Sequence, residues 1–170
     1  MREEFSAGGI VFKVTPSVIP AQAGIQGDKE LDPGSKSGMT IMILLSQHSG
    51  HHGWVFPKGF IGDKEEFKGQ TKEQTALREV EEETGAIGEI VEPVTPIDYW
   101  YEMGEEKRHK TVYYYLMKFV GGDITQHDWE MENVEWLPEN KVIERLTYPS
   151  DKKVWIEARE RLKQILDKPE

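Results

Sequence analysis

Cysteine is absent from all 170 residues, which excludes disulfides, thiolate zinc sites and cysteine nucleophiles. Any metal must then be held by oxygen or imidazole. No stretch approaches the roughly 20 consecutive apolar residues that a membrane-crossing helix needs. The opening Met1-Arg2-Glu3-Glu4-Phe5 lacks the apolar core and small-residue cleavage site of a secretory signal, so a cytoplasmic location is expected. Positive charge is scarce as well: 21 Lys and Arg face 31 Asp and Glu, a net charge of −10. That deficit argues against a broad basic surface, so neither nucleic acid nor membrane is an expected partner. A local cationic pocket for phosphates remains open.

What is present suits one globular domain spanning 1–170, with 37% hydrophobic and 31% charged residues. Residues 4–14 read as a strand in which Ile10, Val11 and Phe12 follow the small run Ala7-Gly8-Gly9. A second strand is expected at 40–47. Between them Thr15 to Gly38, rich in Pro, Gly, Ser and charge, is too long for a hairpin turn and reads as an inserted loop at 15–38. A functional lid is the competing reading, although the segment offers no convergent polar cluster. Trp54 to Gly59 reads as a short apolar strand ended by a Pro-Lys-Gly turn, and further strands are expected at 88–101, 111–119 and near Val134-Glu135-Trp136. Two helices are expected. The first starts at Thr71, with Gln74 as its capping-box partner, and ends at Gly85; the second is capped by Ser150 and runs to about Leu166.

The strongest chemical signal is Arg78-Glu79-Val80-Glu81-Glu82-Glu83-Thr84-Gly85. On a helix Glu79, Glu82 and Glu83 stand at i, i+3 and i+4, so three carboxylates gather on one face. Like charges so placed repel, and a hard divalent cation with oxygen ligands would relieve them. A solvated acidic helix face is the alternative.

These residues resemble the Nudix signature: Gly, five residues, Glu, seven residues, Arg-Glu, an apolar residue, any residue, Glu-Glu, any residue, Gly. The resemblance extends to Ala7-Gly8-Gly9-Ile10-Val11-Phe12, to Trp54 through Gly59 and to Thr111 through Phe119. Arg145-Leu146-Thr147-Tyr148-Pro149 with the last helix resembles the diadenosine polyphosphate hydrolase branch. The resemblance implies an α+β Nudix fold, a mixed β-sheet sandwiched between α-helices. It also implies a magnesium-dependent enzyme, with manganese as a substitute, cleaving phosphoanhydride bonds in a nucleoside polyphosphate linked to another moiety. Diadenosine tetra- or hexaphosphate is the first expectation. A nucleoside triphosphate sanitiser, a nucleotide-sugar or diphosphoinositol pyrophosphatase, an RNA 5′-end pyrophosphohydrolase and a non-catalytic nucleotide sensor are the alternatives. A small-molecule nucleotide is the implied partner, with the chain a monomer or homodimer.

By the same resemblance, metal ligands would be Glu79, Glu82, Glu83 and the carbonyl of Gly59. Glu79, Glu82 and Glu130 are the catalytic candidates, Glu79 and Glu130 competing for the role of general base. Lys58, Arg108, His109 and Lys110 are candidate phosphate contacts, Arg78 is a further substrate-binding candidate, and Trp54, Trp100 and Tyr101 are candidate stacking surfaces. His48, His51 and His52 read as a polar hairpin tip. The chain departs from the signature twice. The loop from Gly59 to Gln70 carries five extra residues, and Gln70 stands where the family has glutamate, which keeps an acceptor for Arg78 and removes an ion pair.

Overall fold

The computed structural model describes residues 2–17, 38–62 and 65–167, and among them eight strands form one sheet. These are β1 (Arg2–Pro16), β2 (Met39–His48), β3 (Trp54–Val55), β4 (Lys58–Phe60), β5 (Ala86–Pro93), β6 (Ile97–Met103), β7 (Glu106–Gly122) and β8 (Met131–Pro138). The order along the main path is β3-β2-β1-β7-β5, with β4 on β1, β6 on β7 and β8 on β2. The central pair β1 and β7 runs parallel and the other pairings are antiparallel, so the sheet is mixed.

Side chains alternate across a strand, and here both sides are covered. Ile10, Phe12, Ile43, Leu45, Val112, Tyr114 and Leu116 enter one core with Val142, Val154, Trp155, Ala158 and Leu162. Those last five come from helices α2 (Glu139–Arg145) and α3 (Pro149–Asp167). The intervening residues Ala7, Val11, Leu44, Tyr115 and Met117 enter a second core with Ala76 and Val80 of helix α1 (Lys72–Thr84). The expected architecture, an α+β arrangement with a mixed sheet between helical layers, is what forms.

Several expected boundaries are corrected. The strand anticipated at 88–101 is two strands, both paired to β7 and separated at 94–96. Pro93 and Pro96 have no N–H to donate, and of the linking residues Val94 N still reaches Tyr114 O at 3.0 Å. Trp54–Gly59 likewise divides: the chain leaves β2 after Val55, and Lys58-Gly59-Phe60 continues as β4 against Ser6–Gly8. α3 begins at Pro149 rather than being capped by Ser150, since proline's missing N–H costs nothing in a first turn. Helix α2 was not anticipated. Residues 18–37 of the expected insertion lie outside the described residues; flanking them, Thr15 pairs with Thr40 and the Ser17 and Thr40 hydroxyls are 2.7 Å apart.

Candidate active site

Helix α1 is fixed at both ends by its own sequence. Thr71 Oγ1 accepts from Gln74 N at 3.0 Å while Gln74 Oε1 accepts from Thr71 N at 2.9 Å. Gly85 closes the other end at φ 82°, a left-handed cap that suits glycine. Between the caps the buried face carries Thr75, Ala76, Glu79, Val80, Glu83 and Thr84, so two acids are pressed inward with the apolar residues.

Small residues let those acids meet strand β4. A Cβ on Gly8 would lie 2.1 Å from the Pro57 carbonyl oxygen, and a Cβ on Gly9 would lie 2.8 Å from a methyl of Val80. Gly9 N also donates to Pro57 O at 3.1 Å. At Gly59 the neighbour is an acid: an added Cβ would stand 2.1–2.4 Å from the carboxyl atoms of Glu79. Next to it Lys58 N donates to Glu83 Oε1 at 3.2 Å. Helix and strand therefore touch through a glycine backbone and two carboxylates.

The cleft at this junction has a volume of about 330 Å³ and is lined by Lys58, Gly59, Glu79, Glu82, Glu83, Lys110 and Glu130. Burial, then the like charges of Glu79 and Glu130, hold Glu83 well above the usual carboxylate range against the opposing pull of Lys58. Burial, then the neighbouring Lys58, pushes Lys110 down; its ammonium stands 4.4 Å from the Phe60 ring centroid. Acids crowd acids and lysines crowd each other in one small space. Such a site fits a polyphosphate with a divalent cation, because each would relieve one set of repulsions. The carboxylate oxygens of Glu79, Glu82 and Glu83 suit magnesium or manganese better than a softer metal. As the side chains stand, no three Asp, Glu or His groups among the described residues are gathered tightly enough to grip an ion. Arg78 partly accounts for this, since its Nη1 lies 3.1 Å from Glu79 Oε2 and 3.2 Å from Glu82 Oε2.

Glu130 reaches the cleft from a loop tied to its surroundings. Its carbonyl accepts from Ser49 N at 2.8 Å, its N–H donates to Asp128 Oδ1 at 3.1 Å, and Asp128 N donates to Glu82 O at 3.0 Å. The loop is thus hung from the last turn of α1.

Other sequence candidates stand elsewhere. His109 is held between Asp98 at 2.7 Å and Glu3 at 2.9 Å and stacks on Trp100 at 4.5 Å. Adjacent strand residues face opposite sides, so of this pair only Lys110 lines the cleft. The Tyr101 hydroxyl donates to the Glu4 carboxylate, which Arg108 also grips at 2.9 Å. Trp54 packs on the large core beneath the Arg145 guanidinium, 4.7 Å away. Arg78 does not line the cleft; its Nε donates to Gln70 Oε1 at 3.0 Å, the acceptor kept by the Gln70 departure.

Sequence reasoning missed Ser6, His48, His51, Asp128 and Met131, which also line the cleft. His48 and His51 stack at 4.3 Å, and their Nδ1 atoms accept from Gly50 N and Gly53 N at 2.9 and 3.0 Å. In its neutral form each ring therefore carries its proton on Nε2. Burial, then His48, Lys58 and His52, pushes His51 down, which favours that neutral form. The available signal was the clustering of three histidines just before the Trp54–Gly59 segment.

A model of the NUDIX domain matches residues 32–158. The chain is 34% identical over 151 residues to the "Putative mutator protein MutT4" of Mycobacterium tuberculosis, covering 89% of this chain and 52% of that one. It is 30% identical over 115 residues to the 8-oxo-(d)GTP phosphatase of Mycolicibacterium smegmatis, covering 68% of this chain and 33% of that one. It thus spans about half the length of the first relative and a third of the second. A C. elegans Ap4A hydrolase binary complex superposes with a TM-score of 0.63 at 22% identity, covering 95% of this chain and 98% of that one, a likeness of fold.

Proposed function

The chain belongs to the NUDIX domain family, and from that premise we propose that it is a pyrophosphohydrolase acting with a divalent cation on nucleoside polyphosphates. The observation that carries the proposal is the meeting of Glu79, Glu82 and Glu83 with Lys58 and Lys110 in one cleft. Glu79, Glu82, Glu83 and the Gly59 carbonyl would hold magnesium, with manganese as a substitute, after Glu79 and Glu82 turn from Arg78. When bound, the cation offsets phosphoryl charge and makes water a better nucleophile.

The chain's own groups do the rest. Lys58 and Lys110 take the negative charge of the phosphate chain and hold it in line. Glu130 accepts the proton of the attacking water; the new P–O bond forms as the bridging P–O bond opens and the leaving phosphate departs. Glu79 is the weaker candidate for base because Gly59 and Arg78 already confine its carboxylate.

A cleft of about 330 Å³ is near the small end of the roughly 300–1,000 Å³ usual for ligand sites. It has room for the phosphates, leaving nucleosides at its rim. The first substrate reading is a dinucleoside polyphosphate, which the Trp54–Gly59 and Arg145–Pro149 segments favour. The second is a nucleoside triphosphate, which the likeness to the 8-oxo-(d)GTP phosphatase of Mycolicibacterium smegmatis favours. Purified protein with magnesium is to be assayed against dinucleoside polyphosphates, triphosphates, nucleotide sugars and capped RNA 5′ ends. Preference for four or more bridging phosphates is expected. Turnover of triphosphates alone would reverse the order of the two readings, and inertness to the whole panel would reject the enzyme.

A further inference from the structure

We infer that Phe67 is a positioning residue for the acidic cluster, acting through Arg78; this rests on the hydrolase reading above. Phe67 ends a short 3-10 turn, Glu65–Phe67, in the loop joining β4 to α1. Its ring lies 3.6 Å from the central carbon of the Arg78 guanidinium, close enough for face contact. The neighbouring backbone is tightly wound, with Lys68 N donating to Glu65 O at 3.3 Å and Gln70 N donating to Phe67 O at 3.1 Å. The same turn therefore sets both the Phe67 ring and the Gln70 amide, and Gln70 Oε1 receives Arg78 Nε at 3.0 Å.

A guanidinium offers a weakly hydrated face and a rim of N–H donors. Phe67 takes the face and Gln70 one part of the rim. Gln70 is neutral, and on the rest of the rim Nη1 meets Glu79 and both oxygens of Glu82 at 3.1–3.3 Å. Arg78 is thereby fixed in place, so it stays behind when Glu79 and Glu82 turn from it toward a cation. Without the ring face, the guanidinium keeps its charge and loses its place. It then follows the carboxylates and competes with an entering cation for the Glu82 oxygens, so cation affinity falls.

The test is Mn²⁺ binding without substrate, followed by electron paramagnetic resonance of free Mn²⁺, for wild type, Phe67→Leu and Phe67→Tyr. Leucine fills the space without an aromatic face; tyrosine restores the face. Phe67→Leu is expected to weaken Mn²⁺ binding about fivefold and Phe67→Tyr to stay within about twofold of wild type. Thermal melting of each variant separates folding losses, which would lower the melting temperature of Phe67→Leu without following the Mn²⁺ series. Wild-type Mn²⁺ affinity in Phe67→Leu overturns the role of Phe67 alone. A wild-type protein that binds no Mn²⁺ overturns both this inference and the hydrolase reading.

Discussion

The two faces of the sheet are made by alternate residues of the same strands, yet they differ in grain. Toward α2 and α3, the fully buried groups are large: Phe56, Tyr114, Leu116, Trp155 and Leu162. Toward α1, Leu44 and Met117 of the strands are joined by the small groups Ala7, Ala76, Val80 and Ala86, and Gly9 meets Val80 directly. Large residues hold a helix off a sheet and fill the gap with apolar volume, which stabilises. Small ones let it approach, and here the approach brings Glu79 against the Gly59 backbone. One face serves stability and the other proximity. Substitutions on the two should therefore register in different measurements.

The largest expected effect lies on the α1 face. Glu82→Gln keeps the shape of the side chain and its Arg78 contact but removes a charge from the cleft. Turnover should fall about 10⁴-fold, equivalent to about 5.5 kcal/mol of barrier, with a melting temperature near wild type. A fully active Glu82→Gln protein would break the comparison at its root. Next is Trp155→Ala on the opposite face, which empties a buried site and should cost about 3–5 kcal/mol of stability in denaturant titration. Turnover of the protein that remains folded at low temperature should stay within about twofold; a hundredfold loss would mean that the faces are coupled. Third is Gly59→Ala. The added methyl meets the Glu79 carboxylate with no left-handed backbone conformation at stake, so displacement of that group is the cause of any change. A fall of about 100-fold in turnover is expected, about 2.7 kcal/mol, with a smaller change in stability.

The contrast also explains what could be read from the residues alone. The caps of α1 and the i, i+3, i+4 acids are local signals, complete within Thr71–Gly85; the caps form as expected, and the three acids line the cleft. Local too was the Gln70 acceptor for Arg78. The other wall of the cleft is not local. Ser6 reaches it because it pairs with Phe60, and His48 because β2 runs beside β8, contacts set by strand register over 54 and 83 residues of chain. Similarly, His109 and Lys110 are neighbours that only the direction of β7 separates into an outer and an inner residue. Helix α2 left little trace, being seven residues long with Pro138 at its start and no side-chain cap. The proline pair that splits β5 from β6 was visible; its weight against a β-rich stretch was not.

The smallest predicted effect concerns an acid on the large-residue face. Asp151, in the first turn of α3, is only 4% exposed, and the Tyr114 hydroxyl donates to its Oδ1 at 3.3 Å. Burial raises its pKa above 3.8, and the nearby Lys58 and the Tyr114 hydrogen bond offset only part of that rise. A carboxyl raised in the fold is fully compatible with stability below its unfolded pKa, and stability is lost as pH rises through the higher folded value. Asp151→Asn keeps an acceptor for Tyr114 and never ionises. Relative to wild type its melting temperature should match near pH 4 and stand a few degrees higher at pH 7. If Asp151→Asn instead melts lower at pH 7, attraction between Asp151 and Lys58 outweighs the cost of burial. Lys58 would then join the stability of one face to the cleft of the other, and the division of labour between them would end at that residue.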